Sequence, residues 1–339
     1  MTPTPVTVLT GYLGAGKTTL LNRILSQDHG RRYAVIVNEF GEIGIDNDLI
    51  VGADEEIFEM SNGCVCCTMR GDLIRVLTGL MKRQASAARG FDAIILETTG
   101  LADPGPVAQT FFVDDDVKAR TRLDSVTTIV DARHVLASLD ASREARDQVA
   151  FADQIVLNKT DLASEAELAA IEARLRRMNP LAPIHRAERG DVPLDAIIGR
   201  GGFDLARIEG LAPASHNPAH GEAGHVHDEA CQDQRPHHHR MDDITGVSLS
   251  LDRPVDGEKI SRWLSDLLAA QGQNILRAKG IVDVAGEERR LVFQAVHMIL
   301  DGDLQRPWRD GEARVSRMVF IGRDLDEAAL KAGFEACAA

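Results

Sequence analysis

The chain has 339 residues, enough for about two domains with a substantial core. Hydrophobic residues make up 44% and charged residues 27%, an ordinary balance for a globular protein in water, and no apolar run approaches the length of a membrane span. A formal net charge of -14 argues against nucleic acid or an anionic membrane surface as the main partner. No basic leader precedes the first apolar run, so a cytoplasmic location is expected. Of the cysteines, Cys64, Cys66 and Cys67 are clustered while Cys231 and Cys337 stand apart. That is a poor disulfide framework and reads better as metal-binding or redox-active.

In chain order, Val6 to Leu9 is a short apolar β-former. It runs into Gly11-Tyr-Leu-Gly14-Ala15-Gly16-Lys17-Thr18, which fits G-x-x-x-x-G-K-[ST] without a mismatch. Thr19 to Leu25 follows with helical spacing. Tyr33 to Val37 reads as a second strand, Ile57 to Met60 as a short third, and Met69 to Ala85 as a helix. Ala93 to Leu96, Val126 to Val130 and Gln154 to Leu157 are further apolar strands. Ser164 to Met178 is a helix with a capping box, Ser164 and Glu167. Continuous apolar strands separated by helices indicate a doubly wound, mostly parallel α/β sheet of the P-loop type, placed at residues 1–200. Residues 201–243 lose periodicity and are rich in Gly, Pro, Asp and His. Seven of the eleven histidines lie between His216 and His239, and the segment reads as a His-rich flexible linker. Residues 244–339 read as a smaller α+β domain. Its expected elements are a strand (Thr245 to Leu251), a helix (Asp256 to Ala270), three strands (Ile275 to Val284, Arg290 to Met298, Arg314 to Ile321) and a closing helix (Leu325 to Cys337). His297 is expected on a strand as a structural histidine.

The chemistry is concentrated at strand ends. The glycine loop can bring backbone N–H groups close to phosphate oxygens at the positive end of a helix. The cradle is expected to use Gly11, Gly14, Ala15, Gly16, Lys17, Thr18 and Thr19. Lys17 would reach the β- and γ-phosphates, and the Thr18 hydroxyl would face Mg²⁺. Glu97-Thr98-Thr99-Gly100 follows an apolar strand. Glu97 takes the place of the acidic Walker B residue and would hold Mg²⁺ through water, with the Gly100 N–H sensing the γ-phosphate. Asn158-Lys159-Thr160-Asp161 follows another strand. Its carboxylate can accept from N1–H and the 2-amino group of guanine, which adenine does not offer, so Asp161 would select GTP. Asn158 would brace the loop and Lys159 would lie along the base. The acidic loop from Asn38 to Asp46 offers Glu39, Glu42 and Asp46 as further metal ligands, or as a solvated surface. Cys64, Cys66 and Cys67 offer thiolates for Zn²⁺, with Co²⁺ second, if the chain turns at Gly63. Buried inert cysteines and a redox switch are the other readings. The histidines could bind metal, or could simply be polar linker.

Taken together, Gly11 to Thr18, Asn38-Glu-Phe-Gly41, Asn62-Gly-Cys-Val-Cys-Cys67, Glu97 to Gly100 and Asn158 to Asp161 resemble the CobW family of P-loop GTPases. Ile275 to Gly280 and Ile321 to Arg323 resemble that family's C-terminal domain. The resemblance implies a GTP-hydrolysing metallochaperone whose thiols at Cys64, Cys66 and Cys67 carry a transition metal, most simply zinc. The partner would be a client metalloprotein or metal-insertion complex. Alternatives within the family are a cobalt chaperone for cobalamin synthesis and an activator of the nitrile hydratase type. Eukaryotic zinc-delivering members carry a cysteine-containing docking motif before the P-loop; Thr2-Pro-Thr-Pro5 has no cysteine. Two readings from other classes are a small-molecule phosphotransferase and a non-enzymatic metal buffer built on the histidines.

Overall fold

The computed structural model describes residues 3–27, 30–38, 56–60, 67–86, 90–200 and 244–339. The 201–243 segment, most of the acidic loop and the Cys64 to Cys66 stretch lie outside the described residues. The first half comprises β1 (Thr4–Thr10), α1 (Lys17–Ser26), β2 (Tyr33–Asn38), β3 (Glu56–Met60), α2 (Cys67–Ser86) and β4 (Ala93–Glu97). It continues with α3 (Pro104–Val113), α4 (Asp115–Arg120), β5 (Thr121–Asp131), α5 (Val135–Ala141) and α6 (Arg143–Phe151). It closes with β6 (Gln154–Asn158), α7 (Glu165–Met178) and β7 (Ile184–Arg186).

These strands form one seven-stranded sheet in the order β3-β2-β4-β1-β5-β6-β7. Every pairing in it is parallel. The apolar runs explain why. Successive side chains of a strand point to opposite faces, so a strand that is apolar at every position must be covered twice. Ile94 and Leu96 of β4 pack against Leu73, Leu77 and Leu80 of α2 and Val107 and Phe111 of α3. Ile95, between them, packs with Leu20, Leu21 and Ile24 of α1 on the other face. β1 lies between β4 and β5, so the loop that leaves its carboxyl end emerges where the strand order reverses, the place at which such sheets bind ligands.

The second half comprises β8 (Ile244–Leu251), α8 (Gly257–Gln271), β9 (Ile275–Val282), β10 (Arg289–Val296), β11 (Ile299–Pro307), β12 (Ser316–Arg323) and α9 (Glu327–Glu335). Its strands form an antiparallel sheet in the order β11-β10-β9-β12-β8. One face carries α8 and α9 through Ile260, Leu264, Leu268, Leu330 and Phe334. Trp263 stacks on Phe334 and meets Phe320 edge-on, at ring separations of 6.1 and 6.0 Å. The other face supplies Leu276, Val296, Val319 and Ile321 to a core shared with Phe151, Leu168, Ile171 and Leu175 of the first half.

The smaller sheet departs from the sequence expectation in one place. Four strands, not three, follow α8: the strand expected at Arg290 to Met298 ends at Val296, and a further strand, β11, precedes β12. His297 and Met298 form the tight turn between β10 and β11, with His297 at φ 53°. β11 was not expected: it is an edge strand with the charged sequence Ile-Leu-Asp-Gly-Asp-Leu-Gln-Arg-Pro, much of it exposed. Such a strand offers little hydrophobic signal.

Ion pairs stitch the two sheets together. Asp153, between α6 and β6, receives Arg277 at 2.6 Å and Lys279 at 2.5 Å, both from β9 and both buried. Arg277 also donates to the Phe151 carbonyl, and Arg323 of β12 pairs with Asp147 of α6. Burial works to raise the Asp153 carboxyl, but Arg277 and Lys279 outweigh it and hold it well below the usual carboxylate range. A carboxyl lowered in the folded state contributes stability above its unfolded value, near pH 4, and loses it as the pH falls further. Asp153→Asn should therefore cost about 3 kcal/mol at pH 7, because it removes the carboxylate charge that Arg277 and Lys279 share. The gap to wild type should narrow between about pH 4 and pH 2. Urea unfolding across that range is the check, and a gap independent of pH would show that the Asp153 charge is not engaged.

Candidate functional site

The glycine loop joins β1 to α1, as its sequence requires. Gly11 has φ 148°, and a Cβ there would collide with the Ile129 carbonyl oxygen on the neighbouring strand. Gly16 has φ 105°, and its Cβ would meet the Asn158 Nδ2 at 2.5 Å. Both positions thus need glycine for backbone conformation and for space. Lys17 opens α1 and reaches back over the loop, donating from Nζ to the Gly11 carbonyl at 2.8 Å. Gly14 and Thr19 are exposed, whereas Ala15 is buried at 1% exposure.

Thr18 and Glu97 are 79 residues apart in sequence and adjacent in space. The Thr18 hydroxyl donates to Glu97 Oε1 at 3.1 Å. Parallel pairing of β1 with β4 brings Leu9 opposite Glu97, which places this carboxylate beside the loop. Thr98 continues the link: its N–H donates to the Leu9 carbonyl at 2.9 Å and its hydroxyl to Thr10 Oγ1 at 2.8 Å. A hydroxyl next to a buried carboxylate is a hard-oxygen donor set, the chemistry that suits Mg²⁺. Gly100 packs against Leu13 of the glycine loop. The Gly100 and Ala102 carbonyls are both held by the Gln148 side chain of α6, at 3.2 and 3.1 Å.

The Asn158 to Asp161 turn leaves β6 two strands away from β1. Asn158 is 2% exposed. Its Nδ2 donates to the Ala15 carbonyl at 2.9 Å, and its Oδ1 accepts from the Gly190 N–H at 2.9 Å. Lys159 has the left-handed φ of 60° and lies across the loop, donating to the Gly14 carbonyl at 2.8 Å and to Asp131 Oδ2 at 2.7 Å. Asp161 is exposed on a short 3-10 turn, Thr160–Leu162. Burial works to raise the Asp131 carboxyl, but hydrogen bonds from Lys159, His134 and the Arg133 N–H outweigh it and hold it below the ordinary value.

Glycine loop, Glu97 and the Asn158 turn therefore share one end of the sheet. The remaining candidates are not placed with them. Glu39, Glu42, Asp46, Cys64, Cys66 and His216 to His239 lie outside the described residues, and Cys67 is described only as the first residue of α2. β2 ends at Asn38 and β3 at Met60, so the chain enters both stretches from the carboxyl end of the same parallel sheet. Among the described residues, no group of three or more His, Cys, Asp or Glu is arranged to hold a metal ion. Cys337 is buried and unpaired. Three partners of the site were missed in the sequence. Asp131 directly follows the apolar run Val126 to Val130, the same strand-end signal that marked Glu97 and Asn158. Gly190 follows the three-residue β7, too short to read. Gln148 sits on a short helix and carries no local mark.

Comparison with known proteins adds to this geometry. The CobW/HypB/UreG nucleotide-binding domain matches residues 5–186, and the cobalamin synthesis protein cobW C-terminal domain matches residues 244–338. The zinc chaperone YjiA of Escherichia coli is 38% identical over 335 residues, covering 98% of both chains. The zinc chaperone CobW of a Sinorhizobium species is 33% identical over 362 residues, covering 98% of this chain and 96% of that one. A crystal structure of Zn(II)-bound YjiA GTPase from E. coli aligns over 100% of both chains with a TM-score of 0.72 and 34% identity.

Asn158 offers a direct test of how the loops are held. Asn158→Ala leaves the Ala15 carbonyl and the Gly190 N–H without their buried partner, so unfolding free energy should fall by about 2 kcal/mol. Chemical denaturation is the measurement. A variant as stable as wild type would mean that the two loops do not depend on this side chain.

Proposed function

Because the chain belongs to the CobW/HypB/UreG nucleotide-binding family and carries the CobW C-terminal domain, we infer that it is a GTPase of the zinc-chaperone kind. We propose further that it binds Zn²⁺ as cargo at Cys64, Cys66 and Cys67 and hands it to a client metalloprotein in the cytoplasm. The observation that carries the nucleotide half is the convergence at one sheet end of Lys17, the Thr18–Glu97 pair and the Asn158 turn. The metal half is supported by the thiol cluster in the sequence and by the full-length likeness to a Zn(II)-bound GTPase.

In this reading the residues divide the work. Backbone N–H groups from Gly14 to Thr19 receive the phosphates. Lys17 exchanges the Gly11 carbonyl for the β- and γ-phosphate oxygens and spreads their charge. Thr18 and Glu97 would hold Mg²⁺, which would supply positive charge against the phosphates. The Gly100 N–H faces the γ-phosphate. Lys159 lies along the base, Asn158 braces the turn, and Asp161 accepts from guanine. Glu39, Glu42 and Asp46 are the further carboxylates available to a metal. No helix among the described residues is long and apolar enough to cross a membrane.

Asp161→Ala should cost GTP on the order of 10²-fold or more in affinity, because two guanine donors lose their acceptor. Nucleotide titration of both proteins with GTP and ATP decides the point, and equal wild-type affinity for the two removes the base assignment.

The two halves should also be coupled. Strands β2, β3 and β4 all deliver their following loops to the sheet end that carries the phosphate loop. A γ-phosphate that orders those loops restricts the cysteine stretch, so part of the ordering cost of metal binding is met in advance. Zn²⁺ should bind five- to 150-fold more tightly with a non-hydrolysable GTP analogue than with GDP, about 1–3 kcal/mol of coupling. GTP must tighten by the same factor when Zn²⁺ is present. Competition titrations in the apo, GDP and analogue states, at fixed pH because thiolates release protons, read it out. Identical affinities in all three would leave the metal site without connection to the nucleotide.

A further inference from the structure

We propose that Asp131 is the positioning residue for Lys159, and that the carboxylate fixes this ammonium on the Gly14 carbonyl so that the base turn and the phosphate loop are set as one piece. The proposal rests on the nucleotide site described above. Neither the Gly-x-x-x-x-Gly-Lys-Thr loop nor the Asn-Lys-x-Asp turn contains Asp131; it stands at the end of β5, on the strand between them.

The carboxylate has an anchor independent of Lys159. Its Oδ1 accepts from the Arg133 N–H at 2.8 Å, and its side chain is only 11% exposed. Its Oδ2 is thereby turned toward Lys159 Nζ, at 2.7 Å, while His134 Nδ1 lies 3.1 Å from the same oxygen on the solvent side. Lys159 has a long, flexible side chain and, at φ 60°, a backbone conformation that a residue with a Cβ adopts only when its surroundings over-determine it. The surroundings do so at both ends. The Leu162 N–H donates to the Lys159 carbonyl at 3.0 Å and the Thr160 N–H to the Ala187 carbonyl at 3.2 Å, which closes the turn. Asp131 and the Gly14 carbonyl hold the ammonium.

Fixing Nζ has two effects. The stem of Lys159 is tethered at both ends, so much of its rotamer freedom is already spent when a base stacks on it. The grip on the Gly14 carbonyl also fixes the peptide that leads into Ala15, whose own N–H donates to the Tyr12 carbonyl at 3.1 Å. The phosphate loop therefore takes its curvature partly from a carboxylate on β5.

The test is a double-mutant cycle of Asp131→Asn and Lys159→Met, with nucleotide Kd, kcat and KM measured for GTP and for ATP. The Asp131→Asn side chain keeps an oxygen for the Arg133 N–H and loses the charge. The expected result is a rise of about tenfold in Kd and KM for GTP with kcat within about twofold, and less than about a twofold further loss when Asp131→Asn is added to Lys159→Met. Equal losses in both backgrounds overturn the proposal, as does an unchanged Kd. So does a loss of thermal stability and kcat together with no selective change in KM, the signature of a merely structural carboxylate. A wild type that binds ATP and GTP alike overturns the guanine assignment alone. The coupling is then read from the ATP arm, where the grip on Gly14 still operates.

Discussion

Asn158 is one buried amide at the end of a strand, and the geometry of the nucleotide-facing edge depends on it. With no water to turn to, its nitrogen must donate and its oxygen must accept inside the protein. The donor goes to the phosphate loop at Ala15 and the acceptor to the returning loop at Gly190. Those two bonds draw together chain segments that enter from β1, β6 and β7. They also explain the crowding at Gly16, where the amide occupies the space a Cβ would fill. The loop is not a generic turn that happens to be rich in glycine; its closeness to β5 and to Asn158 excludes side chains at two defined positions.

A second set of constraints runs through α6. Gln148 holds the Gly100 and Ala102 carbonyls beside the glycine loop. Its neighbour Asp147 pairs with Arg323 of the antiparallel sheet. Burial, with Asp103 nearby, pushes the Asp147 carboxyl up to about 6 despite Arg323 and Arg143. Asp103 in turn caps α3 by accepting from the Gly105 N–H at 2.8 Å, and His297 from the β10–β11 turn lies against Gly105 and Phe151. The segment that follows Glu97 is therefore bordered on one side by the phosphate loop and on the other by the C-terminal sheet.

Much of this was legible in the sequence where chemistry and strand ends coincide. An apolar run that stops at Glu97 or Asn158 announces both a buried parallel strand and a polar group delivered to its carboxyl end. The long helices α2, α7 and α8 show enough turns for their period to register. Between 104 and 151 that signal fails: α3 to α6 are short, and α3 opens with Pro-Gly-Pro, which reads as a breaker although proline is well placed in a first turn. β11 is an exposed edge, and the turn before it uses His297 and Met298 in place of the usual asparagine and glycine. The Asp131–Lys159 pair was out of reach for another reason. Each residue looks ordinary alone, and only the order of β5 and β6 in the sheet makes them neighbours.

The shared core has a consequence for what counts as a unit in this molecule. By sequence the chain divides cleanly, with one family pattern ending at 186 and another beginning at 244. The hydrophobic interior does not respect that division, since Phe151, Leu168 and Leu175 lie in one cluster with Leu276, Val319 and Ile321. Separating the two halves would open that cluster to water and take Arg323 from Asp147 and Arg277 and Lys279 from Asp153. The nucleotide half is thus a module in the genetic sense but not in the thermodynamic one: its foldedness is on loan from the sheet that follows it.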